Sequence, residues 1–543
     1  MNLTNTQFVF EGKTKRVLIG GMVLGLLCLV LSALNDDAYH TRFWTNFLHN
    51  SVYFTAIAFM AVFFLAAQIT AFAGWMTVIK RIWEGMGQFM MVGLVLMGIV
   101  AIGVWGHLHH LYHWNDPNLN ITDPTGAHYD RIIAGKSGFL NPVFYTIASV
   151  GFLAIWYFWA FKMRQNSISQ DTNETASLDY YKKERKWAAS FLPIGGFLSA
   201  VFLWQVLMSV DPHWYSTMFA WYSTASAWLG ALALTVMIII YLKSLGYLEY
   251  VTHDHLHDVG KYLFGISVFW TYLWFDQFML IWYANNGEET IYFKQRMDHY
   301  PVLFWGNLLM NFVAPFLILM RNDNKRKFGT MFFVALIVFF GHWWDYFYMI
   351  KPGARIAAME AKELAEGGHD KMGSTTTIHP GSSEMATALA GVQAEAAGHG
   401  GQAAGAQPEA AQDGSQATEQ AAPPAEGQPE GQDQHAGEGE AAHPAAEHSG
   451  SDAHGAEAPA AHGEEGHGGS HESEEPYSFR MGFTIPGLEE IGVMIGFLSL
   501  FIFFLFNQLE RVSLVPMKDP YLEESLHHET GALIESEGGG GHH

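Results

Sequence analysis

One cysteine stands in the whole chain, Cys28, inside the first apolar run. A single thiol cannot build a disulfide framework, a CxxC zinc site or a cysteine-held iron–sulfur cluster. Charge is scarce as well: Asp, Glu, Lys and Arg make up 15% of the 543 residues. No basic patch is present, so nucleic acid is not expected as a partner. The net charge of -23 comes largely from a polar insert, Gly367 to Pro476, and from the acidic C-terminal tail. The insert also lowers the mean hydropathy to +0.09. Outside it, apolar runs recur at about twenty residues, the length that crosses a hydrocarbon core of roughly 30 Å.

Ten such runs are expected to span a membrane, at 16–34, 44–72, 86–109, 139–161, 188–209, 215–243, 260–284, 301–320, 328–351 and 485–508. The fold class that follows is an all-α integral membrane protein. Lys13, Lys15 and Arg16 precede the run Val17 to Leu34 as in a signal peptide. That run is too long for one, and no small-residue cleavage site follows in Asn35-Asp36-Asp37, so it is read as a retained helix. Lys and Arg cluster in alternate connections: Lys80/Arg81, Lys162/Arg164 with Lys182 to Lys186, Lys243, and Arg321 to Lys327. The positive-inside rule puts these connections and both termini in the cytoplasm.

The expected layout is a membrane domain over 1–352, an outer insert over 353–484, a last span over 485–508 and a cytoplasmic tail over 509–543. The insert is built of Ala, Gly, Glu, Gln and Pro with scattered histidines (His435, His443, His448, His454, His462, His467, His471). Such a segment cannot bury enough surface to offset its ordering entropy, so disorder is expected. The irregular histidine spacing favours a solvated tether over a metal or proton buffer.

Asp276 lies inside the apolar run Phe264 to Tyr283 with no opposite charge within a helical turn. A carboxylate at the bilayer centre costs roughly 2.5–3.5 kcal/mol even on lenient scales, so it is expected to face a protein interior or a wet cavity. His342 and Asp345 repeat the pattern three residues apart, on one helix face. Asp211 and His213 sit in the turn Val210-Asp211-Pro212-His213, and His49 and His107 near the outer ends of their spans. Glu489 and Glu490 open the last span, where a helix N-terminus suits acids. Asp36 and Asp37 read as a solvated loop face. The acid and histidine groups thus gather toward the outer half. A histidine there can accept a hydroxyl proton and an aspartate can orient it or pass it on, as quinol oxidation requires. The bland alternative is hydrogen-bonded helix glue.

In the run His107 to His113, His109 and His113 are four apart and could grip a metal on a helix. Their place beside Trp114 favours an interfacial, non-ligand role, and no metal site is assigned. Gln68, Tyr241, His253, His255 and His257 could feed a path from the inner side, though loop and interface roles suit them better. Asn311 and Pro315 sit mid-span, where proline frees a carbonyl and marks a kink.

Two stretches carry a resemblance. One is Trp274-Phe275-Asp276-Gln277-Phe278-Met279-Leu280-Ile281-Trp282-Tyr283-Ala284-Asn285-Asn286-Gly287-Glu288-Glu289-Thr290, the other Met208-Ser209-Val210-Asp211-Pro212-His213-Trp214-Tyr215-Ser216-Thr217-Met218-Phe219. With the ten spans, they resemble the NrfD/polysulfide-reductase-type membrane subunits, and among these the second quinone-binding-type subunit of alternative complex III, a bacterial quinol:cytochrome c oxidoreductase. Gly287 stands where that family often has Pro.

The resemblance implies two four-helix bundles, spans two to five and six to nine, flanked by the first and last spans. It implies the bacterial inner membrane, with the insert on the periplasmic side. Partners would be a larger NrfD-like membrane subunit, an iron–sulfur subunit, haem c subunits, small membrane subunits, lipid and a terminal oxidase. A quinone or menaquinone would be the ligand, with haem and iron–sulfur clusters only in the partner subunits and none bound covalently here. Asp276, His342 and Asp345 would form the polar core, Asp211 and His213 the exit, and His49 and His107 the quinol side. A proton-coupled transporter, a haem b cytochrome using His49, His107 or His342, and a purely architectural subunit are the competing readings.

Overall fold

The computed structural model describes residues 6–126, 128–174, 177–365 and 478–529. Among them, ten helices are long and apolar enough to cross a membrane. They are α1 (Gly12–Leu34), α2 (Thr41–Thr70), α3 (Thr77–Trp105), α4 (Pro142–Thr172), α5 (Asp179–Val210), α6 (Met218–Ser244), α7 (His253–Ala284), α8 (Pro301–Leu319), α9 (Phe328–Lys362) and α10 (Leu488–Glu510). The described residues form isolated β-bridges but no strand. The chain is an all-α integral membrane protein. Helix is what a chain must form in hydrocarbon, because every backbone N–H and C=O then pairs within its own segment.

Two units divide the chain, Met1–Pro380 with Glu474–His543, and Gly381–Ser473. The second unit lies outside the described residues, and with it the insert histidines and the disorder expected of them.

Two rings of four helices make the first unit. In one, α2 packs on α3, α3 on α4, α4 on α5 and α5 back on α2; in the other, α6 to α9 close in the same way. They meet through α2 and α5 against α6 and through α2 against α9. The apolar stretches of α2, α6 and α9 are therefore the interior, 89%, 78% and 72% buried, against 11% for α1. α1 packs along α10, which in turn packs on α2 and α3. Small residues allow that approach: a Cβ on Gly25 would stand 2.4 Å from the Cα of Gly496.

Several helices run past the expected bounds at their inner ends, α3 from Thr77, α4 to Thr172, α5 from Asp179 and α7 from His253. Three further boundaries depart from the expected ones. α3 stops at Trp105 rather than 109, because Gly106 follows and His107 turns to a positive φ of 49°. The helix containing α9 runs through Pro352 to Ala365, carried by the helix-forming residues of Ala354 to Ala365, so the expected insert begins as helix. Residues 511–528 fold back rather than trail: Lys80 Nζ meets Glu184 at 3.0 Å and Asp519 at 2.9 Å, and His255 Nε2 lies 2.9 Å from the Ser525 carbonyl. Asp36 and Asp37, expected to be solvated, accept the N–H groups of Arg42, Phe43 and Thr41 and so cap α2. The expected kink in α8 is a π turn over Leu309–Val313.

A Cβ built on Gly492 would lie 3.0 Å from that of Cys28, and disulfides need about 3.5–4.5 Å. Gly492→Cys therefore gives an intramolecular cross-link under mild oxidation after a small outward shift, read as faster migration on a non-reducing gel. Failure to cross-link in folded protein would contradict the α1–α10 pairing.

Candidate functional site

α9 puts His342 and Asp345 on one face, and both are fully buried. Each other helix of the second ring sends a donor to the Asp345 carboxylate. From α6, the Tyr222 hydroxyl donates to Oδ1 in a close contact. From α7, Trp270 Nε1 donates to Oδ2 at 3.0 Å. From α8, Asn307 Nδ2 donates to Oδ1 at 2.7 Å. Hydrogen bonds to a charged group contribute about 1.5–3 kcal/mol each, so three of them offset the cost of holding a carboxylate here.

His342 Nδ1 lies 2.9 Å from Ser226 Oγ and 3.9 Å from Asp345 Oδ2. Its Nε2 is buried without a partner among the described residues. Asn311 extends the network, donating to Asn307 Oδ1 at 2.5 Å and to the Gly341 carbonyl at 2.9 Å. Only glycine admits this approach: a Cβ at 341 would fall 2.1 Å from Asn311 Oδ1. The π turn brings the Asn311 side chain into that position. The arrangement can hold a proton on His342 or Asp345 and exchange it through Tyr222 or Ser226.

Asp276 stands apart from this cluster. The buried stripe of α7 runs through Leu263, Ser267, Trp270, Trp274, Gln277 and Ile281. Asp276 falls off that stripe, half-buried, with no hydrogen bond or ion pair among the described residues. The expected three-residue polar core is thus a pair, His342 and Asp345, held by Tyr222, Trp270 and Asn307. His49 is buried at the α2–α9 seam, its Nε2 2.9 Å from the Trp343 carbonyl. His107 is exposed beyond the end of α3, beside Asn115, because the helix stops short of it.

The expected exit residues sit at the end of the rings that bears 106–141, 211–217 and 285–300, and they face different partners. Asp211 accepts from Arg296 Nη2 at 2.8 Å. The Arg296 guanidinium lies 3.4 Å from the centre of the Tyr292 ring, which stacks on Trp214 at 3.8 Å. Burial alone would lower the Arg296 pKa; Tyr292 and Asp211 more than offset it and raise it. Gly353 leaves room for Asp211, since a Cβ there would meet its carboxylate at 2.7 Å. His213 Nε2 lies 2.5 Å from Asp130 Oδ2. Burial works against both charges, but their mutual hydrogen bond prevails, aided at Asp130 by the backbone N–H groups it caps; it raises His213 and lowers Asp130 to about 2.

A third cluster locks α10 to α2. Arg42 donates to Glu490 through Nε at 2.8 Å and Nη2 at 2.9 Å, and to Glu489 at 3.0 Å. Asn46 joins Glu490 to the fully buried Lys351, whose Nζ donates to Asn46 Oδ1 at 2.6 Å and to Thr45 Oγ1 at 2.7 Å. Sequence reasoning missed Lys351, Arg296, Asp130 and the donors to Asp345. Lys351 closes the apolar run of α9 and was legible as a charge at its edge. The donors were not, since Tyr, Trp and Asn in a span announce no partner.

No protein-family model matches the chain, and no curated protein matches it.

The His213–Asp130 pair has a defined window. His213 stabilises the folded form fully below about pH 6.5 and loses its contribution as pH rises through the raised folded value. Asp130 contributes above about pH 3.8 and loses its contribution as pH falls toward about 2. In chelator-treated protein, reaction of His213 with diethyl pyrocarbonate is expected to have its midpoint above pH 6.5, and Asp130→Asn to lower that midpoint. Equal midpoints would remove the pairing. Gly353→Ala should displace Asp211 from Arg296 and cost about 1–3 kcal/mol, a loss readable in thermal unfolding.

Proposed function

We propose that this chain is an integral membrane subunit of a bacterial quinol:cytochrome c oxidoreductase of the alternative complex III kind, and that its part is proton handling through the His342–Asp345 cluster. The observation that carries this reading is the burial of an aspartate and a histidine together, each tied to hydroxyl groups, at the centre of one helical ring. Intramembrane ionisable groups of this kind serve proton relays. By the positive-inside rule, the end bearing Asp211 and His213 faces the periplasm.

A cavity beside Tyr346, lined by Thr55, Ser199, Thr224, Phe59 and Trp156 among others, has room for about one water molecule. In the complexes this chain resembles, the paired NrfD-like membrane subunit is the stronger candidate for the quinol site, and we assign quinol oxidation to it. Iron–sulfur and haem c subunits would carry the electrons, and this chain would take or return protons.

The saturation of Asp345 by three donors also favours an architectural reading, in which the carboxylate only joins helices. One experiment separates the two. Asp345→Asn and His342→Gln are made in the assembled complex, and subunit content, quinol:cytochrome c turnover and proton release are measured. The proton-handling reading expects normal assembly with turnover or proton release lowered by roughly 10²-fold or more. Asp276→Asn, outside the cluster, should have a smaller effect. Unchanged turnover and proton release in assembled Asp345→Asn complex rejects the reading; loss of assembly alone supports the architectural one.

A further inference from the structure

Away from the buried cluster, side chains from four separate segments converge. His113 comes from the single turn His113–Asn115, Asp130 from the N-cap of the short helix Arg131–Lys136, and His213 from the turn after α5. One ligating atom of each lies within 4.8 Å of the other two. Glu360, in the last turn of α9, brings Oε2 to 3.6 Å from His113 Nδ1. The two imidazole rings are 5.8 Å apart. The side chains of His113, Glu360 and Asp130 are 6%, 17% and 18% exposed, and that of His213 is 32% exposed, so the group is sheltered with one open edge.

We propose that His113, Asp130, His213 and Glu360 form a binding site for a divalent transition-metal cation of the zinc class.

Two imidazoles and two carboxylates make an N2O2 set whose charge balances a dication, and zinc takes such sets in tetrahedral geometry. With metal–ligand bonds near 2.1 Å, ligand atoms on one ion stand roughly 3.4 Å apart. The His113–Glu360 separation already matches. The His113, Asp130 and His213 atoms, now within 4.8 Å of one another, would draw in to that spacing, and the His213–Asp130 hydrogen bond would open by roughly 1 Å as the cation replaces its proton. Second contacts orient the ligands, as metal sites require. Asp130 Oδ1 accepts the N–H groups of Ile132 and Ile133 at 2.8 Å and 2.9 Å, leaving Oδ2 for the site. Lys136 is a nearby cation that opposes a metal. Its Nζ is engaged by the Pro212 carbonyl at 2.6 Å, which fixes the turn bearing His213. A plain ion pair accounts for His213 and Asp130. It does not account for a second histidine brought within 4.8 Å of both from another element, with a second carboxylate 3.6 Å from that histidine. The cation would fasten the segment 106–141 and the turn 211–217 to the last turn of α9, whatever the outcome for proton handling.

Full-length protein in detergent, stripped with a chelator, is titrated with Zn2+ against a competing dye and with Co2+ for its four-coordinate d–d absorption. The insert is the same in every variant, so differences between variants report this site. Expected is one tight equivalent whose Kd rises at least tenfold in Asp130→Asn and His213→Gln, with loss of the four-coordinate Co2+ bands. Asn still caps the short helix, which protects folding in the first variant. His107→Gln, exposed and outside the group, should match the unaltered protein. Should either variant aggregate on gel filtration, Glu360→Gln serves in its place with the same expectation. Stoichiometry, affinity and Co2+ spectrum unchanged across these variants would overturn the site and leave only the insert as the metal ligand.

Discussion

A carboxylate removed from water must be met by donors from its own protein, and Asp345 makes the second helical ring obey that requirement. Its partners come one from each neighbouring helix: Tyr222 on α6, Trp270 on α7 and Asn307 on α8. Closing the ring and satisfying the charge are one event. The site sits where four helices must already be in register, so its geometry is set by the closed ring. The cost of a misplaced donor, about 1–3 kcal/mol for each buried group left unpaired, is what holds that register.

The two rings divide the work. Around the first, the seam of α2, α4 and α5 is aromatic and apolar, with Phe59 against Trp156 at 4.3 Å and Trp156 against Phe202 at 5.5 Å. The second holds Asp345, His342, Asn307 and Asn311 at its centre. Several other buried charges lie at the ends of the rings and are paired there. Arg42, Glu490 and Lys351 fasten α10 and α9 to α2. Lys80, Glu184 and Asp519 fasten residues 511–528 at the opposite end. A seam that is largely aromatic, with the hydroxyls of Thr55 and Ser199 at its cavity, thus stands beside a ring centred on a buried carboxyl and imidazole.

Apolar run length made the ten spans legible, because crossing hydrocarbon leaves the chain one regular option. The pair His342 and Asp345 was legible for the same reason: two ionisable groups on one face of an apolar helix need an interior. Asp276 satisfied the same rule and yet lies off the buried stripe of α7, because the rule fixes that a charge needs shelter and not which side of the helix provides it. His107 was misplaced by one glycine, Gly106, that ended α3 before the apolar pattern did. The partners of Asp345, and the meeting of His113, Asp130, His213 and Glu360, join residues up to 247 positions apart (from 113 to 360). Spacing along the chain holds no record of such meetings; only the closed rings and their connecting loops create them.

Whether the Asp345 carboxyl changes its protonation during turnover is the most direct question. Infrared difference spectroscopy of the assembled complex, reduced with quinol and then reoxidised, reads the carboxyl C=O stretch. The account expects a band that appears in the unaltered complex and is missing when residue 345 is asparagine. A difference spectrum with the same carboxyl bands in both complexes would contradict it.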